Sequence, residues 1–193
     1  MKSFGKKAWM LPQPVLILGT YNEDGTPNAM NAAWAGQWDS DEIMISIGKH
    51  KTTENLRKGG DFTIAFATLE TMVAADFVGI VSQKNDSGKI LKSGLTSIAS
   101  ENVDAPIFTD FPMTLECRIK ERQKESETGF YIIAEIVNIL CAGKYLADNG
   151  RPDVEKMNLI TFNPINLEYF LLGRCVGKAY SVGKELKQIS CNL

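Results

Sequence analysis

Two runs of strand-forming residues in the second half of the chain constrain its fold more than any other feature. Residues 113–122 (MTLECRIKER) and 130–140 (FYIIAEIVNIL) are long and strand-like, and a charged, Gly-containing turn around residues 125–129 separates them. They are expected to pair as an antiparallel hairpin. An earlier hairpin is written at residues 15–21 (VLILGTY), where an apolar run meets the turn residues Asn22, Glu23, Asp24 and Gly25 and returns along residues 28–34 (NAMNAAW). Further strands are expected at residues 43–47, where Met44 and Ser46 alternate with Ile43, Ile45 and Ile47, and at residues 62–66, 160–162 and 169–172.

The helical signals are short. Residues 52–59 (TTENLRKG) carry a hydroxyl cap, an acid in the first turn, bases in the last and a glycine stop. Residues 71–78 form a second candidate, and residues 82–93 read as a polar loop. Many antiparallel strands joined by short helices favour a closed barrel over a doubly wound sheet, in one domain spanning residues 1–193.

Charge and cysteine usage exclude several classes of function. The 21 basic and 23 acidic residues leave a net charge of -2 without long like-charge runs, which argues against nucleic acid or an anionic membrane as partner. Lys2, Lys6 and Lys7 precede an apolar stretch, but Pro12 and Pro14 interrupt it before a signal-peptide core forms, and no segment reaches membrane-spanning length. Cys117, Cys141, Cys175 and Cys191 form no CxxC pair and His50 is the only histidine, so free thiols in a reducing cytoplasm are expected rather than a metal centre. Cys117 and Cys141 fall on the paired long strands, as packing residues.

Neither GxGxxG after a strand nor GxxxxGK[ST] occurs, so a nucleotide would have to bind without a Rossmann site or a P-loop. Two segments offer alternatives. Lys49, His50, Lys51, Thr52 and Thr53 gather cations and hydroxyls at free helix N-terminal amides, which suits a phosphate dianion; taken on their own, these residues are read first as an ordinary capped helix with solvated lysines. In NAMNAAW the small residues would let a flat ligand approach, with Asn31 and Trp34 offering an amide and an aromatic edge, and a packed strand with Trp34 in the core is the alternative.

The order of short motifs across residues 12–183 resembles the flavin reductase-like family, flavoredoxins included. It begins with Pro14 through Thr20, Asp24-Gly25-x-Pro27-Asn28 and NAMNAAW. It continues through FVGIVSQKND at residues 77–86, Gly94-Leu95-Thr96, Asp104-Ala105-Pro106 and Leu115-Glu116-Cys117. DNGRPD at residues 148–153 and the closing Leu172-Gly173 complete it. The resemblance implies a mainly β fold with short helices, a Greek-key split β-barrel. It also implies non-covalent FMN near the interface of a homodimer, with its reactive face open to a second redox partner.

On the same resemblance, Asn28, Met30, Asn31, Ala33 and Trp34 border the flavin, while Ser46, Lys51, Thr52 and Thr53 form the turn that receives its phosphate. Lys89 matches a further basic contact, with Lys92 as the competing position, and Phe162 or Tyr169 adds an aromatic wall. The family often has Thr where Asn31 stands. His50 is expected to be solvent-exposed or a phosphate neighbour rather than an acid catalyst. Flavin carries its own redox chemistry, so no acid–base triad is required. The expected activities, in order, are an NAD(P)H-dependent flavin reductase, a flavoredoxin-like electron carrier reduced by a partner protein, and a binding module.

Overall fold

The structure, a computed structural model, describes residues 1–123, 129–184 and 186. The turn expected around residues 125–129 and the position of Cys191 lie outside the described residues, Gly129 excepted.

The chain opens with β1 (Gln13–Pro14), β2 (Leu16–Tyr21), β3 (Pro27–Ala32), β4 (Ala35–Asp39) and β5 (Glu42–Gly48). Helix α1 (Lys51–Lys58), β6 (Asp61–Phe66), α2 (Met72–Ile80) and α3 (Lys89–Ser93) follow. Then come β7 (Ser97–Ala99), β8 (Pro106–Phe108), the long pair β9 (Met113–Gln123) and β10 (Gly129–Cys141), and β11 (Ile160–Asn163) with β12 (Glu168–Leu171). Seven strands form one antiparallel sheet in the order β3-β2-β6-β9-β10-β5-β4.

The two edges of that sheet are consecutive in sequence, since only Ala33 and Trp34 separate β3 from β4. Laid flat, seven strands would hold their edges about 29 Å apart. Two linking residues let the ends of β3 and β4 stand at most about 11 Å apart. The sheet therefore has to curl until its edges meet, and covalent continuity closes the barrel where a ladder does not. Ser46 N–H bonds to the Trp34 carbonyl (2.8 Å) and secures the corner to β5.

Side-chain alternation sorts residues between the barrel interior and an outer layer. Ile43, Ile45 and Ile47 of β5 point inward to join Leu18, Met30, Leu56, Phe62, Ile64, Cys117, Phe130 and Ile132. Met44 and Ser46 are only half-buried, as the alternation predicts. The run VLILGTY is apolar throughout because both its faces are covered. Leu16 and Leu18 face the interior, whereas Val15 and Ile17 join Ala65, Ala75, Val78, Phe108 and Ile160 in an outer cluster under α2. At Gly19 a Cβ would lie 2.7 Å from the Pro106 carbonyl oxygen and 2.4 Å from Thr63 Oγ1, so only glycine lets β8 cross β2 here.

Several local expectations are corrected. β3 ends at Ala32 rather than at Trp34, and β4, β7 and β8 appear where no strand is expected. The segment 82–93 is not all loop, because its last five residues form α3. The cap of α1 is His50, not a threonine; Thr53 contributes from inside the first turn by accepting the His50 N–H (3.1 Å). Gly59 ends the helix in an extended conformation. No described helix is long and apolar enough to cross a membrane.

Candidate functional site

At the mouth of the barrel, the start of α1 faces the end of α2 and the loop after it across a cavity of about 160 Å³. Asn28, Met30, His50, Lys51, Thr52, Gln83 and Lys89 contribute to its lining. Five sequence-predicted site residues, Asn28, Met30, Lys51, Thr52 and Lys89, thus come together although up to sixty positions separate them.

Lys89 is the dominant charge. Its side chain is 3% exposed, and Nζ donates to the Ala29 carbonyl at 2.6 Å. Among the described residues no carboxylate stands within ion-pair distance of it, and burial pulls its pKa from 10.5 down to about 8. The other nearby lysines have carboxylate neighbours. Lys51 lies 4.0 Å from Glu54, and Lys84 also pairs with Glu54. Lys92, the competing assignment, is exposed and paired with Asp86 at 2.6 Å, so Lys89 is the lysine that reaches the cavity. Burial, and then the charges of Lys89 and Lys84, lower the pKa of His50, which weakens its claim to a permanent charge.

The two threonines differ in what they offer. Thr52 Oγ1 accepts from Asn28 Nδ2 at 2.8 Å, which leaves its own proton available to the cavity it lines. Thr53 donates its proton to the Gly48 carbonyl and accepts from His50 N–H, so its hydroxyl is committed to holding the helix start. The amides of α1's first turn complete the anion-binding equipment.

The remaining predicted residues lie elsewhere. Asn31 turns its amide toward α2, donating to the Ala75 carbonyl at 3.1 Å. Gly79 makes that approach possible, since a Cβ there would fall 2.9 Å from Asn31 Cβ. Ala33 and Trp34 occupy the barrel corner; Trp34 is 57% exposed and so does not fill the core. Trp34 and Ser46 line a separate apolar groove of about 450 Å³ whose far wall is the N-terminal segment, including Trp9 and Met10. Phe162 and Tyr169 pack on each other behind α2, with ring centroids 6.0 Å apart, and Tyr169 donates to Asp76 Oδ1 at 2.7 Å. Gln83 is the residue that sequence reasoning missed. The stretch FVGIVSQKND was visible as a landmark, yet nothing in its composition singles out one side chain.

A seven-stranded sheet curled so that a two-residue link joins its edges, with a buried lysine lining the cavity at its mouth, defines a split-barrel protein. The flavin reductase like domain matches residues 9–154, and the chain belongs to that family. Flavoredoxin of Desulfovibrio vulgaris (Miyazaki F) superposes with a TM-score of 0.88 at 35% identity, covering 95% of this chain and 99% of that one. Flavoredoxin from Methanosarcina acetivorans gives 0.86 at 25% identity, covering 96% and 99%. Nitrilotriacetate monooxygenase component B from Bacillus cereus gives 0.77 at 19% identity, covering 88% of each chain, a likeness of fold. No curated protein matches the chain significantly.

Proposed function

We propose that the chain binds FMN non-covalently, anchors it by its phosphate at the barrel mouth, and passes electrons between redox partners. The observation that carries this reading is Lys89, a buried cation with no carboxylate partner among the described residues, in a cavity that also presents the Thr52 hydroxyl and the α1 amides. A phosphate dianion supplies the missing charge and accepts from all three. When bound, the flavin supplies the redox chemistry. The chain's own tasks are to hold the phosphate with Lys89, Lys51 and Thr52, and to keep water from the buried lysine. The free thiols of Cys117, Cys141 and Cys175 suit a reducing cytoplasm.

A flavoredoxin-like electron carrier is the first reading, because 35% identity over nearly the full length of both chains joins this sequence to a flavoredoxin. That reverses the order drawn from sequence alone. An NAD(P)H-dependent flavin reductase is the second reading, favoured by the family the chain belongs to. An anaerobic absorption spectrum separates them. The carrier retains about one FMN per chain and is reduced only when a partner protein is added, whereas rapid bleaching by NADH or NADPH alone marks the reductase. Riboflavin is expected to bind more weakly than FMN; equal affinities, or a protein that takes up no flavin, would remove the phosphate anchor from the argument.

A cavity of about 160 Å³ takes a phosphate and part of the adjoining chain but is well below the 300 Å³ or more of a whole-ligand pocket. The rest of the flavin needs cover from another surface. We place a second copy there, since Trp34, Trp38, Tyr131 and Ile139 leave large apolar surface uncovered on this one. Sedimentation is expected to show a homodimer at micromolar concentration. A monomer with full FMN occupancy would refute it.

A further inference from the structure

The cavity that holds Lys89 makes a second demand that a phosphate cannot meet. Asn28 Oδ1 and Gln83 Oε1 are buried and lack any donor, and both residues line this cavity. Among the described residues the only other buried side-chain N or O atom in this condition is Gln13 Oε1.

The orientation of Gln83 is fixed by its partner. Its Nε2 donates to the Pro27 carbonyl at 3.2 Å, which can only accept, so Oε1 is the atom left over. Asn28, 1% exposed, spends its Nδ2 on Thr20 Oγ1 (3.2 Å) and Thr52 Oγ1 (2.8 Å). Asn55 Nδ2 also donates to Thr20 Oγ1, at 3.0 Å.

Buried acceptors without donors are uncommon in folded proteins. Two such atoms, on residues that line one small cavity, point to a ligand that brings O–H groups. A phosphate dianion offers acceptors alone, so it satisfies Lys89 and Thr52 and leaves both amide oxygens unmet. The complementary ligand carries an anion and, next to it, hydroxyl donors: a phosphate ester of a polyol.

We infer that Gln83 and Asn28 are specificity-determining residues, whose side-chain oxygens accept hydrogen bonds from hydroxyls of the chain adjoining the phosphate. This rests on the FMN reading and extends it, because it assigns the ribityl hydroxyls a place in recognition separate from the phosphate. A cavity built for the phosphate alone would not care what the phosphate is esterified to.

The test compares two ligands on two proteins by fluorescence titration. One ligand is FMN; the other is a flavin bearing the same terminal phosphate on a saturated, hydroxyl-free pentyl chain. Wild-type protein is expected to favour FMN by about tenfold or more, the effect of one or two neutral hydrogen bonds in a shielded site. Gln83→Leu is expected to lose about tenfold in FMN affinity and to bind the hydroxyl-free analogue within about twofold of wild type. Equal loss of both ligands assigns Gln83 to holding its loop and overturns the inference, as does an unchanged affinity for FMN. If wild-type protein binds neither ligand the FMN reading itself fails. If it binds FMN and discriminates against riboflavin while Gln83→Leu behaves as wild type, only the present inference fails.

Discussion

Lys89→Met is expected to raise the dissociation constant for FMN roughly 10- to 100-fold at pH 7 while changing that for riboflavin by less than about twofold. The size follows from one charge-assisted hydrogen bond in a site where the lysine is 3% exposed and no carboxylate among the described residues competes for it. The selectivity follows from chemistry, since riboflavin lacks the phosphate. A pH series adds an independent check. In the ligand-free protein burial lowers the Lys89 pKa from 10.5 to about 8, so wild-type affinity is fullest between the second ionisation of the phosphate, at about pH 6, and that value, and declines as pH rises through it. The Met variant is expected to show no such decline. The sign for folding is opposite. Between about 8 and 10.5 the unfolded chain keeps a proton that the folded one has released, so Lys89 makes the ligand-free protein more stable as pH rises across that window. Equal loss of FMN and riboflavin in the Met variant would make Lys89 a structural residue.

Glu116→Ala is expected to cost about 3 kcal/mol of unfolding free energy, read from the urea midpoint. Glu116 is fully buried in β9, where it accepts from Ser100 Oγ, Asn102 Nδ2 (2.8 Å) and Asn138 Nδ2 (2.6 Å). Truncation leaves these donors facing one another without an acceptor. It also releases the segment before β8 that Ser100 and Asn102 tie down. Burial alone would raise the Glu116 pKa, but the hydrogen bonds from Ser100, Asn138 and Asn102 outweigh it and the net shift is downward. Its contribution is therefore complete above the usual carboxylate value of 4.5 and is lost as pH falls through the lower folded-state pKa. Glu116→Gln keeps the shape and one acceptor and is expected to cost less. A midpoint for Glu116→Ala within experimental scatter of wild type would mean that water replaces the carboxylate without penalty.

What the sequence reveals depends on how local the cause is. The strand at residues 43–47 is legible because Ile43, Ile45 and Ile47 enter the core while Met44 and Ser46 do not. β4 carries no such signature: four of its five residues are exposed, and its pairing with β5 decides its conformation. The phosphate-ready turn is written in adjacent residues and can be read directly. The choice of Lys89 over Lys92 is not, because it rests on a contact with Ala29 sixty positions away. Thr53 shows the converse limit: its residue type suits a phosphate, but the fold engages its hydroxyl at Gly48.

The two-residue link between β3 and β4 also sets what changes the chain tolerates. Because side chains alternate with a period of two, a single residue inserted or deleted at Ala33 or Trp34 would either pull β4 out of register with β5 or exchange its inward and outward faces. Substitution there meets little resistance from packing, since Trp34 is largely exposed and Ala33 half-buried. The corner can therefore drift in composition while its length stays fixed, and whatever chemistry it presents to a neighbour can vary without reopening the barrel.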